Sequence, residues 1–593
     1  GVNLAGNSLS VGGNFILGNG AFGAKVTTGA SAITAGGNWT IGTNGTFVST
    51  GSTVIFNATD NDNTITSNAR VFDNISFSRA TGKWTLQDGL IVSGNVSLTS
   101  GELDTKSGVN NSITVAGNWT NSGGTFTARE GIVTFNGTAG GKTITPGASS
   151  FYDLTVNSSD GNGAWTTAAG TSLNVSRDFT LTNGSLTLGN SLVVTGNVTL
   201  TAGTLDANGK AMSVGGNWTR TTATFTHNNN AVTFNSSTSD QTIASSGQSF
   251  YDLILNNTGA GGSDDIIING NLTVTRDLTI TNGDLDLSTN DPNVTISRHM
   301  TVGVDGSLDV SGYSGTITFN GTGTSTLTNS SAQNYGAVTV DGTEKTLALS
   351  SVGTPTFTFT TLTIGADDIF NLNGENTTIT TLVNNNLLKL TGNETLTITN
   401  MDTDSGEVEY TATSGSPIVK NFGDEDYYKL KINGSRTFSL EGNLKINSDV
   451  TITSGTLDVT ASDYSINVGG NWTNAGTFTA REGTVTFNGT AGGKTITAGG
   501  SAFYDLTINS SDGNGAWTTA AGTSLSVTRD FTLTNGSLTL GNSIVVTRNV
   551  TLTAGTLDAN GKSISVGGNW ERATATFTSG GNTVTFNASD TDN

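Results

Sequence analysis

The side chains best equipped for chemistry are carboxylates gathered at Asp60 to Asp62, Asp264-Asp265, Asp367-Asp368 and Asp424 to Asp426. Paired carboxylates can serve as general acid and base on a glycosidic bond, and hard carboxylate oxygens hold calcium. Asp264, Asp265, Asp424 and Asp426 are the candidate calcium ligands on this ground. All the clusters fall in apparent loops, and no glycine-rich nonapeptide calcium repeat accompanies them, so they are read first as charged, solvated corners. Arg177-Asp178, Arg276-Asp277 and Arg529-Asp530 occupy matching positions, as do Arg129-Glu130 and Arg481-Glu482. Adjacent residues on a strand face opposite ways, so these are expected to pair between neighbouring strands and not to act as catalytic dyads. The only histidines, His227 and His299, lie in unrelated phrases, and Gly140-Gly141-Lys142 lacks the spacing and following helix of a phosphate loop. No catalytic residue is assigned, no cofactor beyond calcium is entertained, and the chain is read as not an enzyme.

A second kind of chemistry is modification. Asn-X-Ser/Thr occurs 28 times, among them at Asn38, Asn95, Asn118, Asn197, Asn217, Asn235, Asn471 and Asn549, which are candidate N-glycosylation sites at presumed outward corners.

The elements that carry these residues must be strands. Only 12% of the 593 residues are charged, Gly reaches 80 and Pro falls to 4. Thr and Val favour pleated surfaces, while Asn and Gly tolerate positive φ at turns. The class is all-β. A net charge of -21 opposes nucleic-acid binding, which needs a basic face, and favours solubility. No cysteine occurs, which excludes disulfides and thiolate metal sites. No run approaches a membrane span and no charged leader precedes an apolar stretch; a chain starting at Gly1 is read as processed, its export signal removed or outside it.

Internal repetition organises the chain. Residues 131–219 reappear at 483–571, an offset of 352, with 12 differences in 89 positions. A looser phrase of β-formers ending in an aromatic recurs at Phe56, Phe135, Phe234, Phe319, Tyr410, Phe487 and Phe586. Gly-Asn-Trp recurs at Trp39, Trp119, Trp218, Trp472 and Trp570, and Phe-Tyr-Asp-Leu begins at Phe151, Phe250 and Phe503. Units of this length would suit a tandem array of β-sandwich domains, the alternative fold. A shorter period favours another. Leu173, Leu192, Met212 and Val232 step by 19, 20 and 20, and Leu525, Ile544, Ile564 and Val584 repeat those steps. Phe179, Val198 and Trp218 form a second column and Leu186, Leu205 and Phe225 a third.

Three apolar columns on one period predict a parallel β-helix, or β-solenoid, with about 20-residue coils and three strands per coil. Asn-Gly pairs at the corners also suit hairpins, and the shared period decides against them. Trp119, Trp218 and Trp472 then belong to core columns and not to a sugar-stacking surface. At about 4.8 Å per rung the chain would make some 25 to 30 coils in a rod on the order of 120 to 140 Å. The expected layout is solenoid over 1–320, a divergent β-rich segment over 321–441, still solenoid or an insertion, and solenoid again over 442–593, duplicating the 117–235 region. Thr583 to Asn593 restart the phrase of Thr53 to Asn63. No cap is evident at either end, so exposed ladder edges are expected to template end-to-end or partner-assisted assembly.

Coils such as Leu192 to Gly209, with Gly196-Asn197 and Gly203 at their corners, resemble the repeats of filamentous-haemagglutinin-type secreted adhesins and related bacterial and archaeal surface proteins. The resemblance covers most of the chain, least clearly 321–441, and it implies a right-handed coil and a role in attachment and biofilm. The expected function is a structural subunit of an extracellular filament, sheath or layer on the cell surface, a homo-oligomer with no membrane span. The alternatives are the stalk of an adhesin meeting glycans or a neighbouring cell surface, with 321–441 as its binding part, and a carbohydrate-active β-helix enzyme.

Overall fold

Alternation of Thr with Leu, Val, Ile and Phe gives strands one apolar face, and a face of that kind is stable only when it is covered. A computed structural model, described over residues 1–587, covers it by winding the chain into parallel coils. Strands stack about 21 residues apart in a β-solenoid of about 28 turns. Among the described residues there is no helix, so none that could cross a membrane. The tandem-sandwich alternative is thereby set aside.

Contacts divide the chain into two compact units, residues 1–296 with 300–315, and residues 297–299 with 316–593. In the first unit Leu173 pairs with Leu192, Leu192 with Met212 and Met212 with Val232, all in parallel register. Phe179 pairs with Val198 and Val198 with Trp218 on a second wall, and Leu186 with Leu205 and Leu205 with Phe225 on a third. These side chains are buried at 5% exposure or less. Each buried aliphatic side chain contributes about 1.5–3 kcal/mol, so a column stabilises every coil it passes through. The second unit repeats the first column as Leu525, Ile544, Ile564 and Val584.

Between 321 and 441 the same stacking continues within the second unit. Leu347 pairs with Phe370, Phe370 with Leu388 and Leu388 with Val408. Here the strands are longer, reaching twelve residues at Lys429–Leu440, which pairs first through Leu430 with Val408 and then through Phe438 with Leu457. Register shifts at Asn433 let that strand bend past a corner.

Several corners are made by glycine. Gly203, at φ +85, lies so close beneath Gly184 that a Cβ would meet the Gly184 carbonyl oxygen at 2.1 Å. Only glycine supplies both the backbone angle and the clearance.

The longer phrases do not stay on one wall. Val54 and Trp119 share the wall that includes Ile75 and Val96, whereas Val133 shares the Phe179 wall with Trp218. Val232 lies on the Leu192 wall. Each successive copy of the aromatic phrase in the first unit thus enters a different wall, because the phrase-to-phrase step is not a whole number of coils. Trp119 therefore does not share a wall with Phe179 and Trp218; its neighbours are Val96 and Ile144.

Candidate functional site

Three arrangements recur on successive coils and hold most of the polar chemistry. The first is a corner ladder of amides. Asn95 N–H donates to Asn74 Oδ1 at 2.9 Å, Asn118 N–H to Asn95 Oδ1 at 2.8 Å, and Thr143 N–H to Asn118 Oδ1 at 2.7 Å. The same line runs from Asp178 through Asn197 and Asn217 to Thr242, from Asp449 through Asn471 to Thr495, and from Asp530 through Asn549 to Asn569. Asn38 belongs to it too, donating to Asn14 and accepting from Thr64. Each side-chain oxygen accepts from the backbone N–H at the same corner of the next coil, just before its strand or at the strand's second residue, and so gives that N–H a partner. Asn38, Asn95, Asn118, Asn197, Asn217, Asn471 and Asn549 are therefore working parts of the coil, whatever else they carry. Asn569 keeps the ladder bond although Glu571 replaces the hydroxyl residue of the sequence motif. Asn235 stands apart, exposed in a loop.

The second arrangement is a clamp of Tyr, Arg and two Asp. The Arg177 guanidinium lies over the Tyr152 ring at 4.8 Å, pairs with Asp153 on the preceding coil and reaches Asp178 at 3.4 Å. Arg276 does the same with Tyr251, Asp252 and Asp277, and Arg529 with Tyr504, Asp505 and Asp530. Pairing between coils matches the sequence reading. Contact with the adjacent Asp does not follow from strand alternation, and it arises because Arg177 and Asp178 occupy the bend between Leu173–Val175 and Phe179–Asn183. Arg129 and Arg481 likewise reach one coil back, to Asp104 and Asp458, both nearly buried.

The third arrangement, which the sequence reading missed, plugs the loop that follows the aromatic phrase. Lys142 and Lys494 lie over the rings of Trp165 and Trp517 at 4.9 and 4.8 Å. Burial lowers the pKa of both amines. Gln241, fully buried, donates to the Val214 and Gly216 carbonyls. Lys345, also fully buried, donates to the Ser297 carbonyl at 2.7 Å and to Ser325 Oγ at 2.5 Å. A lone lysine in the sequence reads as surface charge; only the aromatic or polar partner on the next coil marks it as a plug.

The acidic candidates do not converge as ligands. Asp264 and Asp265 are half-buried; Asp265 N–H donates to Asp240 Oδ1 at 3.2 Å, and Asp265 faces Asp284 across the ladder. Burial, with Asp240 and Asp286 nearby, raises the Asp265 pKa. Asp424 is exposed, whereas Asp426 is buried and accepts from the Phe422 and Lys445 backbone at 2.6 and 2.7 Å, so it holds a turn. Asp367 points outward and Asp368 inward, to the N–H groups of Gly342 and Lys345. Among the described residues no three Asp, Glu or His side chains gather around a point where a metal ion would sit. The His227 ring lies tilted against Tyr251 with centroids 5.6 Å apart, and His299 Nδ1 meets Thr326 Oγ1 at 2.9 Å. Trp119, Trp218 and Trp472 are buried in the core.

No known family, curated protein or solved structure matches this chain. The second unit also holds an open polar groove of about 650 Å³ walled by Tyr428, Lys445, Asp449, Asn471, Thr490 and Lys494. Its walls offer amide, hydroxyl and ammonium groups, which suit hydroxyl-rich ligands.

Proposed function

We propose that the chain is a structural subunit of an extracellular cell-surface filament, sheath or layer, assembling through β-solenoid stacking and end contacts. The observation that carries this reading is the repetition of inter-coil ties. Side chains of moderate chemical ambition, Asn at the corners, Arg on Tyr at the bends and Lys or Gln in the loops, are all spent joining one coil to the next. A scaffold that invests its polar groups in coil-to-coil cohesion suits a role in bearing tension or spacing. Because the 131–219 and 483–571 coils share the same registers, coil faces are also interchangeable, a property that suits stacking between copies.

Electron microscopy of the purified chain tests this. Ordered polymers with a constant axial repeat are expected as concentration rises; single particles at every concentration would refute the subunit reading. The groove beside Tyr428 supports a second reading, the stalk of an adhesin that meets glycans. Isolated stalks on source cells, with retention on immobilised polysaccharide that is lost in Tyr428→Ala, would favour it.

A further inference from the structure

The aromatic phrase is followed, at six of its seven occurrences, by Asn, a small residue and Ser or Thr: Asn57, Asn136, Asn235, Asn320, Asn488 and Asn587. The last lies against residues outside the described range. Of the other five, Asn136, Asn235, Asn320 and Asn488 open the loops that the plugs close, and Asn57 opens the corresponding loop of its own coil. At each the hydroxyl residue, Thr59, Thr138, Ser237, Thr322 or Thr490, is exposed. Ala58 and Ser236 between them are buried at 2% and 3% exposure, so Asn and hydroxyl project to the same outer side.

Their amides differ from those of the corner ladder. Asn57, Asn136, Asn235 and Asn488 make no side-chain hydrogen bond among the described residues, and Asn320 only accepts one, from Ser297 Oγ at 3.1 Å. Corner asparagines instead hold the next coil through Oδ1, and Asn197 and Asn471 also donate Nδ2 to Asp178 and Asp449. Corner sites on adjacent coils, such as Asn95 and Asn118, are also about 4.8 Å apart along the stack, too close for two saccharides side by side. Loop sites are spaced far more widely, Asn57, Asn136, Asn235 and Asn320 by 79, 99 and 85 residues and Asn488 by a further 168, and in the first unit they leave three different walls.

We infer that the loop amides Asn57, Asn136, Asn235, Asn320 and Asn488 are the acceptors of N-linked saccharide, and that the corner amides are not. In the transfer, the C1–O bond of a saccharide-phosphate donor breaks as the C1–Nδ2 bond forms. The phosphate leaves with the electron pair and the amide releases one proton, with no change of oxidation state. Each site presents an amide whose Nδ2 makes no hydrogen bond among the described residues, and in the first unit the saccharides cover every side of the solenoid.

This inference rests on the extracellular reading above, and one preparation separates the two. Intact source cells are treated with a membrane-impermeant amine reagent, which reaches exposed Lys25 only if the chain is outside. The chain is then purified and its peptides are mapped by mass. Labelled Lys25 together with saccharide mass on the Asn136 and Asn488 peptides, absent from Asn118 and Asn197 and lost at the altered loop in Thr138→Ala and Thr490→Ala but kept in Thr138→Ser, is the expected result. Labelled Lys25 with bare loops, or with saccharide on the corners instead, overturns the inference and leaves the surface location standing. Unlabelled Lys25 on intact cells overturns the surface location itself.

Discussion

Trp517 donates its indole N–H to the carbonyl of Gly470 at 3.0 Å, reaching past the intervening coil, and Trp165 makes the same bond to Gly117 at 3.1 Å. One side chain thus ties three coils and forms the floor on which Lys494 or Lys142 rests.

Replacing Trp517 by Phe keeps a ring for Lys494 but leaves the Gly470 carbonyl without its donor. The expected loss is about 1–3 kcal/mol, concentrated near the site because contacts in a solenoid reach only the nearby coils. Hydrogen exchange should show faster exchange around Gly469–Thr497, with distant coils unchanged.

Leu192 and Val193 are adjacent, one in a core column and the other 37% exposed. Leu192→Ala is expected to cost about 2–5 kcal/mol through the cavity it opens, and Val193→Ala under about 0.5 kcal/mol. Denaturant midpoints of the two variants measure the difference, and equal midpoints would place Leu192 outside a packed column.

Asp104 is 3% exposed between Lys83 and Arg129, each at 2.9 Å. Burial opposes its charge, yet hydrogen bonds from Arg129 and Lys83 hold its pKa well below the ordinary carboxylate range. A depressed folded pKa adds stability that is present above the unfolded value, about 4, and is lost as pH falls through the folded one. Asp104→Asn is therefore expected to cost about 2 kcal/mol at pH 7 and progressively less in strong acid, read from denaturation midpoints across pH.

Asp284 behaves oppositely. Burial, reinforced by Asp265, Asp309 and Asp286, pushes its pKa up to about 6 against the Ser307 hydroxyl that favours its charge. Between about 4 and 6 the folded state holds more protons than the unfolded one, so stability falls as pH rises through that window and the penalty is complete above it. Asp284→Asn should gain about 1 kcal/mol at pH 7.5, discounted for partial solvent screening, and nothing near pH 4. Exchange rates in Ile266–Leu285 at the two pH values check this.

The coil was legible because Leu173, Leu192, Met212 and Val232 keep both residue type and step, and a parallel ladder demands that coincidence. In 321–441 strands such as Phe357–Ile364 and Thr377–Asn384 turn corners without a glycine, and Thr377–Asn384 mixes Thr through both faces, so no column could be read there. The corner ladder was hidden behind its own sequence motif: Asn-Trp-Thr reads as a modification site, while the structure uses the Asn oxygen to cap the next coil. The passage of the aromatic phrase from wall to wall depends on the fractional number of coils between copies, which spacing in residues does not reveal when coil length varies.

The stacking itself is open to a direct chemical test, since the chain has no cysteine. Val193 faces Ser213 in parallel register, and Ser213 faces Thr233. Neighbouring strands lie about 4.8 Å apart, inside the Cα separation of roughly 4.4–6.8 Å that a disulfide spans. Under mild oxidation the double variant Val193→Cys, Ser213→Cys should close an intramolecular disulfide in nearly every molecule, and Val193→Cys, Thr233→Cys, two coils apart, should not. Closure of the second pair but not the first, or of neither, would contradict a solenoid of stacked twenty-residue coils.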